Sequence, residues 1–144
     1  MKNTTYILYN LKMTYNCDIT EKEGKFLVKF PDVPNAITFG TSKEDALSMA
    51  KDVLDGILAS HLDNGYPISE STYTEGYPIE VSPKIAFAIE LRKARAGHSQ
   101  KEVAEKAGMT YQQYQRLENP HKTNPTLETL YKLQQVFNRP FLAL

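Results

Sequence analysis

The stretch that decides the fold runs from Ser99 to Thr110 and reads Ser-Gln-Lys-Glu-Val-Ala-Glu-Lys-Ala-Gly-Met-Thr. Ser99 followed three residues later by Glu102 is the capping-box pattern that begins a helix. Gly108 is suited to the left-handed position that ends a helix, and Thr110 is a good N-cap for the next one. The sequence therefore predicts two short helices joined by a tight turn, a helix-turn-helix, with the small side chain of Ala104 at their crossing.

Two further helices are predicted to flank this pair. Before it, Pro83 follows Ser82 as a first helical residue, and Gly97 ends the helix. After it, Thr126 caps a last helix. The side chains that we expect inside this all-α part are Ile85, Ala86, Ile89, Leu91, Val103, Ala104, Ala107, Tyr114, Leu117, Leu127, Leu130, Leu133 and Phe137.

The run from Ser99 to Thr110, continued by Arg116-Leu117-Glu118 and by the stretch 124–130, resembles the Cro/phage-repressor family over roughly residues 84–140. The loop 119–123 departs from that family's usual Gly-containing turn and is slightly longer. The resemblance implies binding to DNA, and it implies that Gln100, at the start of the first helix, lies near the backbone and the groove edge.

The second helix of the pair is expected to contact DNA with a polar surface, because Tyr114 and Leu117 hold it to the core. Gln side chains can make bidentate contacts with adenine, and Arg can do so with guanine. The candidate DNA-binding residues are Gln100, Thr110, Tyr111, Gln112, Gln115, Arg116 and Lys122. The candidate phosphate contacts are Arg92, Lys93, Arg95, Lys101 and Lys122.

The N-terminal half predicts strands followed by one helix. Apolar residues alternate with polar ones over 15–19 and again over 26–30, on either side of a turn, which is typical of a hairpin. A third extended segment covers 36–39. Ser42 caps a helix that carries an apolar stripe to His61, and 77–81 could add a fourth strand after the polar, turn-rich region 64–78. Residues 1–12 fit either a strand or a short helix.

Charge is distributed unequally along the chain, although the formal net charge of the 144 residues is zero. Residues 1–83 contain seven lysines against six Asp and six Glu, a charge of −5. Residues 84–144 contain six lysines and four arginines against five Glu, a charge of +5. Such asymmetry is typical of an acidic interaction module joined to a basic nucleic-acid module.

The N-terminal half resembles the HicB antitoxins from about Tyr15 to Val81. The resemblance is carried by Phe30-Pro-Asp-Val-Pro-Asn-Ala36, by Thr38-Phe-Gly40 and by Ser42-Lys-Glu-Asp-Ala-Leu47. It implies a β-β-β-α-β, partial RNase H-like domain that masks a small basic RNA-cleaving toxin, HicA, and a helix-turn-helix that represses the shared operon. The fold class is then α+β, with a toxin-binding domain over 1–81 and a DNA-binding domain over 82–144. The toxin-contacting residues are not identified by the sequence.

An RNase H-like fold raises the hypothesis of a metal-dependent nuclease, which needs several convergent carboxylates. Asp18 is the only acidic residue within the three confident strands, whereas Asp52 and Asp55 flank the helical stripe and are expected to be solvated. The three His residues show no metal-ligand spacing, and Cys17 lies within an alternating strand. We therefore expect no enzyme activity, no catalytic residue, no metal and no cofactor.

An alternative is a ligand-responsive transcriptional repressor without a toxin partner, whose N-terminal domain binds a small molecule among the nine tyrosines. In either case a palindromic operator requires two helix-turn-helix units, so a homodimer or higher oligomer is expected. The single cysteine and the absence of a signal peptide or a membrane-spanning run favour a cytoplasmic protein.

Overall fold

The computed structural model describes residues 12–141, so the extension 1–12, apart from Lys12, lies outside the described residues. The described chain forms two compact units, one from Met13 to Ser82 and one from Pro83 onward. The elements are β1 (Thr14–Lys22), β2 (Lys25–Lys29), β3 (Ile37–Gly40), α1 (Lys43–Asp63), β4 (Tyr77–Glu80), α2 (Pro83–Ala94), α3 (Gln100–Lys106), α4 (Tyr111–Leu117) and α5 (Leu127–Phe137). This confirms the α+β class and the β-β-β-α-β order of the first unit. None of the helices in the described part could cross a membrane.

The first unit is built on a four-stranded sheet in the order β3-β2-β1-β4. All three strand pairs are antiparallel, and the hairpin of β1 and β2 sets Asp18 opposite Lys29 and Thr20 opposite Leu27. The fourth strand lies at an edge, where Pro78 is tolerated because one side of the strand needs no donor. The segment 77–81, uncertain from its sequence, is thus the strand that completes the sheet beside β1.

Helix α1 covers one face of this sheet. The alternation of β1 and β2 places Tyr15, Cys17 and Val28 in the core, where Leu54 and Leu58 of the helix are fully buried. The helix begins where the sequence predicts, because the Ser42 hydroxyl accepts a hydrogen bond from the Asp45 amide at 3.0 Å. The opposite face of β2 and β3 carries three roughly half-exposed apolar side chains, Leu27, Ile37 and Phe39.

The polar region that precedes β4 is tied to the sheet by carboxylates. Asp32 accepts hydrogen bonds from the backbone amide of Tyr73 at 2.7 Å, from the Thr72 hydroxyl at 2.8 Å and from the Thr72 amide at 2.7 Å, and these bonds hold the pKa of its carboxyl below the ordinary value. The Tyr73 hydroxyl donates to Asp18 at 2.5 Å, and that bond raises the pKa of Tyr73 to about 12. The backbone then approaches β1 so closely at Gly76 that a Cβ there would lie 2.2 Å from the carbonyl oxygen of Cys17.

Asp55 is not a solvated residue, and the expectation from the sequence is wrong for it. Its carboxylate accepts hydrogen bonds from the backbone amide of Ser82 at 3.0 Å and from the Ser82 hydroxyl at 2.5 Å, and it lies 3.6 Å from Lys51 Nζ. Asp55 therefore fixes the last residue of the first unit to α1. The hydroxyl of Ser82 is thus engaged with the Asp55 carboxylate.

The second unit packs four helices around one apolar cluster. Thr126 caps α5 as predicted, its hydroxyl accepting from the Thr129 amide at 3.1 Å. The prediction that Leu127 faces the core is wrong, because 67% of it is exposed. As the first residue of α5, Leu127 lies at the edge of the apolar stripe, about 60° around the helix from Leu130, and is turned toward solvent. The cluster consists of Phe87, Leu91, Val103, Ala104, Tyr114, Leu117, Leu130, Leu133 and Phe141.

Candidate nucleic-acid interface

Helices α3 and α4 begin with reciprocal capping boxes. The Ser99 hydroxyl accepts from the Glu102 amide at 3.0 Å, while the Glu102 carboxylate accepts from the Ser99 amide at 3.2 Å. Thr110 and Gln113 repeat the arrangement at 3.1 and 2.8 Å. Each box satisfies amides that the first helical turn leaves unpaired, so two seven-residue helices, short for isolated stability, have well-defined starts.

The turn between the two helices follows from one glycine. Gly108 has φ +68°, a left-handed conformation that glycine adopts without a steric penalty. The Met109 amide then donates to the Ala104 carbonyl at 3.0 Å, which closes the end of α3. With Val103 and Ala104 buried on α3 and Tyr114 and Leu117 buried on α4, the two helices are fixed face to face. The structure thus contains the helix-turn-helix that the sequence predicts.

The outer surface of α4 is polar, as the sequence predicts. Gln112, Gln115 and Arg116 are exposed. Tyr111 is half-buried and links two of its neighbours, because its hydroxyl accepts from Gln115 Nε2 at 3.0 Å and its ring lies 5.4 Å from Lys101 Nζ. A lysine, a tyrosine and glutamines therefore form one continuous surface across the starts of both helices, with donors and acceptors that base edges and phosphates can use.

Two of the predicted contact residues have internal roles as well. The Thr110 hydroxyl accepts the capping hydrogen bond from the Gln113 amide, so its own hydrogen and one acceptor lone pair remain for an outward contact. Gln100 donates one Nε2 hydrogen to Glu118 Oε1 at 3.1 Å, which leaves the second Nε2 hydrogen to donate to a phosphate. The internal bond orients the Gln100 amide before any DNA arrives.

Glu118, next to the end of α4, is a buried carboxylate that three side chains share. Arg95 donates to it twice, from Nε at 2.6 Å and from Nη2 at 3.0 Å. The Tyr114 hydroxyl donates at 2.5 Å, and burial followed by this hydrogen bond raises the pKa of Tyr114. The bond to Glu118 likewise raises the pKa of Arg95. Tyr114 and Glu118 have the i,i+4 spacing of neighbours on a helix. Sequence reasoning missed the rest of this cluster, since Glu118 lies 23 residues from Arg95 and 18 from Gln100, and no local spacing rule connects them.

Arg95, which the sequence offers as a phosphate contact, is engaged within the unit by these bonds to Glu118. Its remaining terminal nitrogen, Nη1, donates to the His98 carbonyl at 2.9 Å, so the guanidinium is engaged within the unit. Lys101 and Lys122 are exposed, on α3 and in the loop before α5, whereas Arg92 and Lys93 are half-buried on α2. The structure thus leaves the two lysines best placed to meet phosphate oxygens.

The sheet unit does not bring catalytic groups together in the described residues. Asp18 receives the Tyr73 hydroxyl, and no group of three or more metal-ligating side chains occurs between residues 12 and 141. Cys17 is fully buried, and burial followed by the charge of Asp18 raises the pKa of its thiol to about 11. A thiol in that state has little of the thiolate form that attacks or ligates.

Comparison with known proteins assigns both halves of the chain. A family model described as HicB_like antitoxin of bacterial toxin-antitoxin system matches residues 10–89, more than half of the chain, and one described as helix-turn-helix matches residues 89–144. The chain is 29% identical to antitoxin HicB 2 of Photorhabdus laumondii over 109 residues, covering 73% of this chain and 77% of that protein. Antitoxin HicB of Escherichia coli K12 is 29% identical over 103 residues, covering 69% of this chain and 75% of that protein. Antitoxin HicB 1 of P. laumondii is 41% identical over a shorter stretch of 49 residues, 34% of this chain and 31% of that protein.

Proposed function

The chain belongs to the HicB-like antitoxin family and carries a helix-turn-helix, and on that premise we propose that it masks a small basic HicA-like toxin and represses its own operon. The toxin would be an RNA-cleaving protein. The antitoxin acts by stoichiometric binding, without turnover. The observation that carries the proposal is the joining, in one chain, of an antitoxin-family sheet unit to a capped helix-turn-helix.

The division of labour follows the two units and their charge. We assign toxin binding to residues 1–81, which carry most of the acidic side chains, and DNA binding to 82–144, which carry all four arginines. An acidic surface attracts a basic protein and repels nucleic acid, so the first unit favours the toxin over the toxin's RNA substrate. The second unit has the opposite preference, because lysine and arginine contacts to phosphate supply most of the affinity for any DNA.

Within the second unit, α4 is the helix that we expect to enter the major groove. Gln112 and Arg116, which are exposed and one turn apart, are assigned to base edges, where each bidentate pair is worth about 1–3 kcal/mol of discrimination. Gln100 and Lys122 are assigned to the sugar-phosphate backbone, and Tyr111 and Gln115 to the groove wall. Because one such unit reads one half-site, a symmetric operator calls for two copies of the chain.

The runner-up, a repressor that senses a small ligand through its tyrosines, is supported less well. The hydroxyls of Tyr73 and Tyr114 donate to Asp18 and Glu118, and the Tyr15 hydroxyl donates to the Ser69 carbonyl at 2.5 Å. The hydroxyls of these three tyrosines, which a ligand could otherwise bind, are thus engaged in hydrogen bonds that hold the fold.

Co-purification tests the proposal. The full chain is co-expressed with the small protein encoded by the adjacent open reading frame, which carries an affinity tag, and the complex is isolated. We expect the two proteins to elute together and the complex to retard a duplex taken from the region upstream of the two genes. If the tagged protein is recovered without the chain, and the chain by itself retards the duplex, the antitoxin role is rejected and the ligand-sensing repressor is favoured.

A further inference from the structure

A cavity of about 220 Å³ lies within the second unit, where the start of α2, the loop before α5 and α5 itself meet. Its apolar wall consists of Pro83, Phe87, Pro125, Leu130 and Phe141. The rings of Phe87 and Phe141 pack edge to face with their centroids 6.1 Å apart, so each holds the other in place. Protein interiors contain few voids larger than a water molecule, and an apolar cavity of this size is therefore a candidate binding site.

One polar side chain at this cavity is buried without a hydrogen-bond partner. Thr123 lines the cavity and is 1% exposed, and its hydroxyl has no partner among residues 12–141. Its backbone amide, by contrast, donates to the Asn119 carbonyl at 2.9 Å. A buried hydroxyl without a partner costs free energy, which a hydrogen bond to a bound molecule recovers. The cavity therefore combines an apolar wall with one unused polar group.

The size and charge of the cavity restrict what it can bind. A cavity of about 150 Å³ holds benzene, so this one has room for such a ring with a short substituent. Lys84, exposed on the first turn of α2, also lines the cavity and favours a negative substituent. The Thr123 hydroxyl can donate to a carboxylate, and hydrogen bonds to an ionised group are the stronger kind. Asn124, also part of the lining, can donate or accept and does not discriminate.

We propose that this cavity binds a small aromatic carboxylic acid of about ten non-hydrogen atoms. The ring packs against Phe87, Leu130 and Phe141, and the carboxylate accepts from the Thr123 hydroxyl on the side of the charge of Lys84. Phenylacetate has this size and chemistry. A polypeptide segment fits less well, because its backbone amides and carbonyls would enter an apolar cavity that offers few partners for them.

A molecule bound here acts on the loop that carries one of the residues assigned to DNA. The Asn119 carbonyl accepts from the amides of both Lys122 and Thr123, at 3.1 and 2.9 Å, so these two residues belong to one turn. A ligand held by Thr123 therefore restrains the turn from which Lys122 is assigned to the DNA backbone. Restraint before DNA arrives lowers the ordering cost of binding, so we expect operator affinity to rise about threefold. This step alone rests on the proposed function.

An NMR titration of the full chain with sodium phenylacetate tests the site. The backbone amide signals of Asn124 and Leu130 should shift in a saturable manner, with a dissociation constant of about 0.1–1 mM, whereas that of Glu105 on α3 should not. Thr123→Val keeps nearly the same shape without the hydroxyl and should weaken binding at least about fivefold. Its melting temperature should not fall, because that hydroxyl has no partner in the described chain. Loss of binding in this variant is then not loss of fold.

A neutral probe separates the role of the ring from that of the charge. Phenylacetamide has nearly the shape of phenylacetate and should bind the wild-type chain more weakly. Lys84→Gln should lower the affinity for phenylacetate about threefold and leave that for phenylacetamide unchanged. Lys132→Gln, which removes an exposed lysine of α5 outside the cavity lining, is the matched control and should change neither affinity.

Three results would each overturn the proposed site. The first is no saturable shift up to about 20 mM phenylacetate, as when another part of the chain or a second copy covers the cavity. The others are unchanged affinity in Thr123→Val and equal affinity for the two probes. Gel retardation with and without saturating phenylacetate tests the effect on the operator, and equal retardation would overturn it. A chain that retards no duplex even without the probe would instead reject the proposed repressor role.

Discussion

Arg95 and Glu118 form a two-bond ion pair, with Nε to Oε2 at 2.6 Å and Nη2 to Oε1 at 3.0 Å, in which the carboxylate is only 6% exposed. Arg95 follows α2, and Glu118 follows α4. Gln100, the first residue of α3, also donates to Glu118. A single carboxylate thus ties three helices together behind the surface assigned to DNA, and it fixes the angle at which α4 is presented.

Replacing Glu118 by Gln should destabilise the second unit, because the isosteric amide leaves the Arg95 charge partly buried without its counter-charge. Removing one partner of a buried pair costs about 3–5 kcal/mol, and we expect the lower end since Arg95 keeps 21% exposure. Urea denaturation of the full chain, followed by circular dichroism at helical wavelengths, measures the loss. Glu128→Gln breaks an exposed pair and should cost under about 1 kcal/mol. Equal losses in the two variants would contradict the structural role of Glu118.

Replacing Gln112 and Arg116 by Ala should abolish specific binding to the operator, because both side chains point outward from α4 and neither supports the core. Loss of two base contacts removes at least about 2 kcal/mol of discrimination, a fall of thirtyfold or more in affinity. Gel retardation with the upstream duplex measures it. Lys106→Ala, which removes an exposed charge on α3 next to Val136 of α5, is the control and should bind nearly normally. If the double variant also fails to bind the toxin, the assignment of one activity to each unit is wrong.

Acidification should release the segment that contains Thr72 and Tyr73 from the sheet. Asp32 has a lowered pKa in the folded chain, so its contribution to stability is complete above its unfolded pKa of about 4 and is lost as pH falls through the lower folded value. The amide proton signals of Thr72 and Tyr73, followed by NMR, should shift together in that range. Asp32→Asn should lack this shared transition. A transition of unchanged size in that variant would mean that another carboxyl holds the segment.

Gly76→Ala should cost more stability than Gly24→Ala. Both glycines have positive φ, +74° and +77°, so both substitutions carry the left-handed penalty of about 1–2 kcal/mol. Only at Gly76 would the new Cβ also meet backbone, the Cys17 carbonyl oxygen at 2.2 Å, whereas nothing lies within 4 Å at Gly24. Thermal unfolding of the two variants gives the difference. Equal shifts in melting temperature would show that the segment around Gly76 moves away from β1 at little cost.

Features encoded by neighbouring residues could be predicted from the sequence. The sequence predicts caps at Ser42, Ser99, Thr110 and Thr126, because in each case a hydroxyl stands three residues before a backbone amide that can donate to it. The structure confirms all four caps. Alternation along β1 and β2 likewise predicts the buried face of the sheet, because side chains in a strand point to opposite sides in turn.

Features that join distant residues could not be predicted in this way. Asp32 contacts Thr72 and Arg95 contacts Glu118 across long stretches of chain, and neither pair has a spacing rule. The error at Leu127 has another cause. Its position in the helical repeat places it only about 60° from Leu130, so periodicity alone did not separate a core position from the boundary.

Growth under toxin induction tests the central claim most directly. The protein encoded by the adjacent small open reading frame is induced alone, with the wild-type chain, and with the Gln112→Ala, Arg116→Ala double variant. We expect induction alone to stop growth and both forms of the chain to restore it, because masking of the toxin belongs to the sheet unit and needs no contact with DNA. Growth arrest that persists in the presence of the wild-type chain would contradict the account.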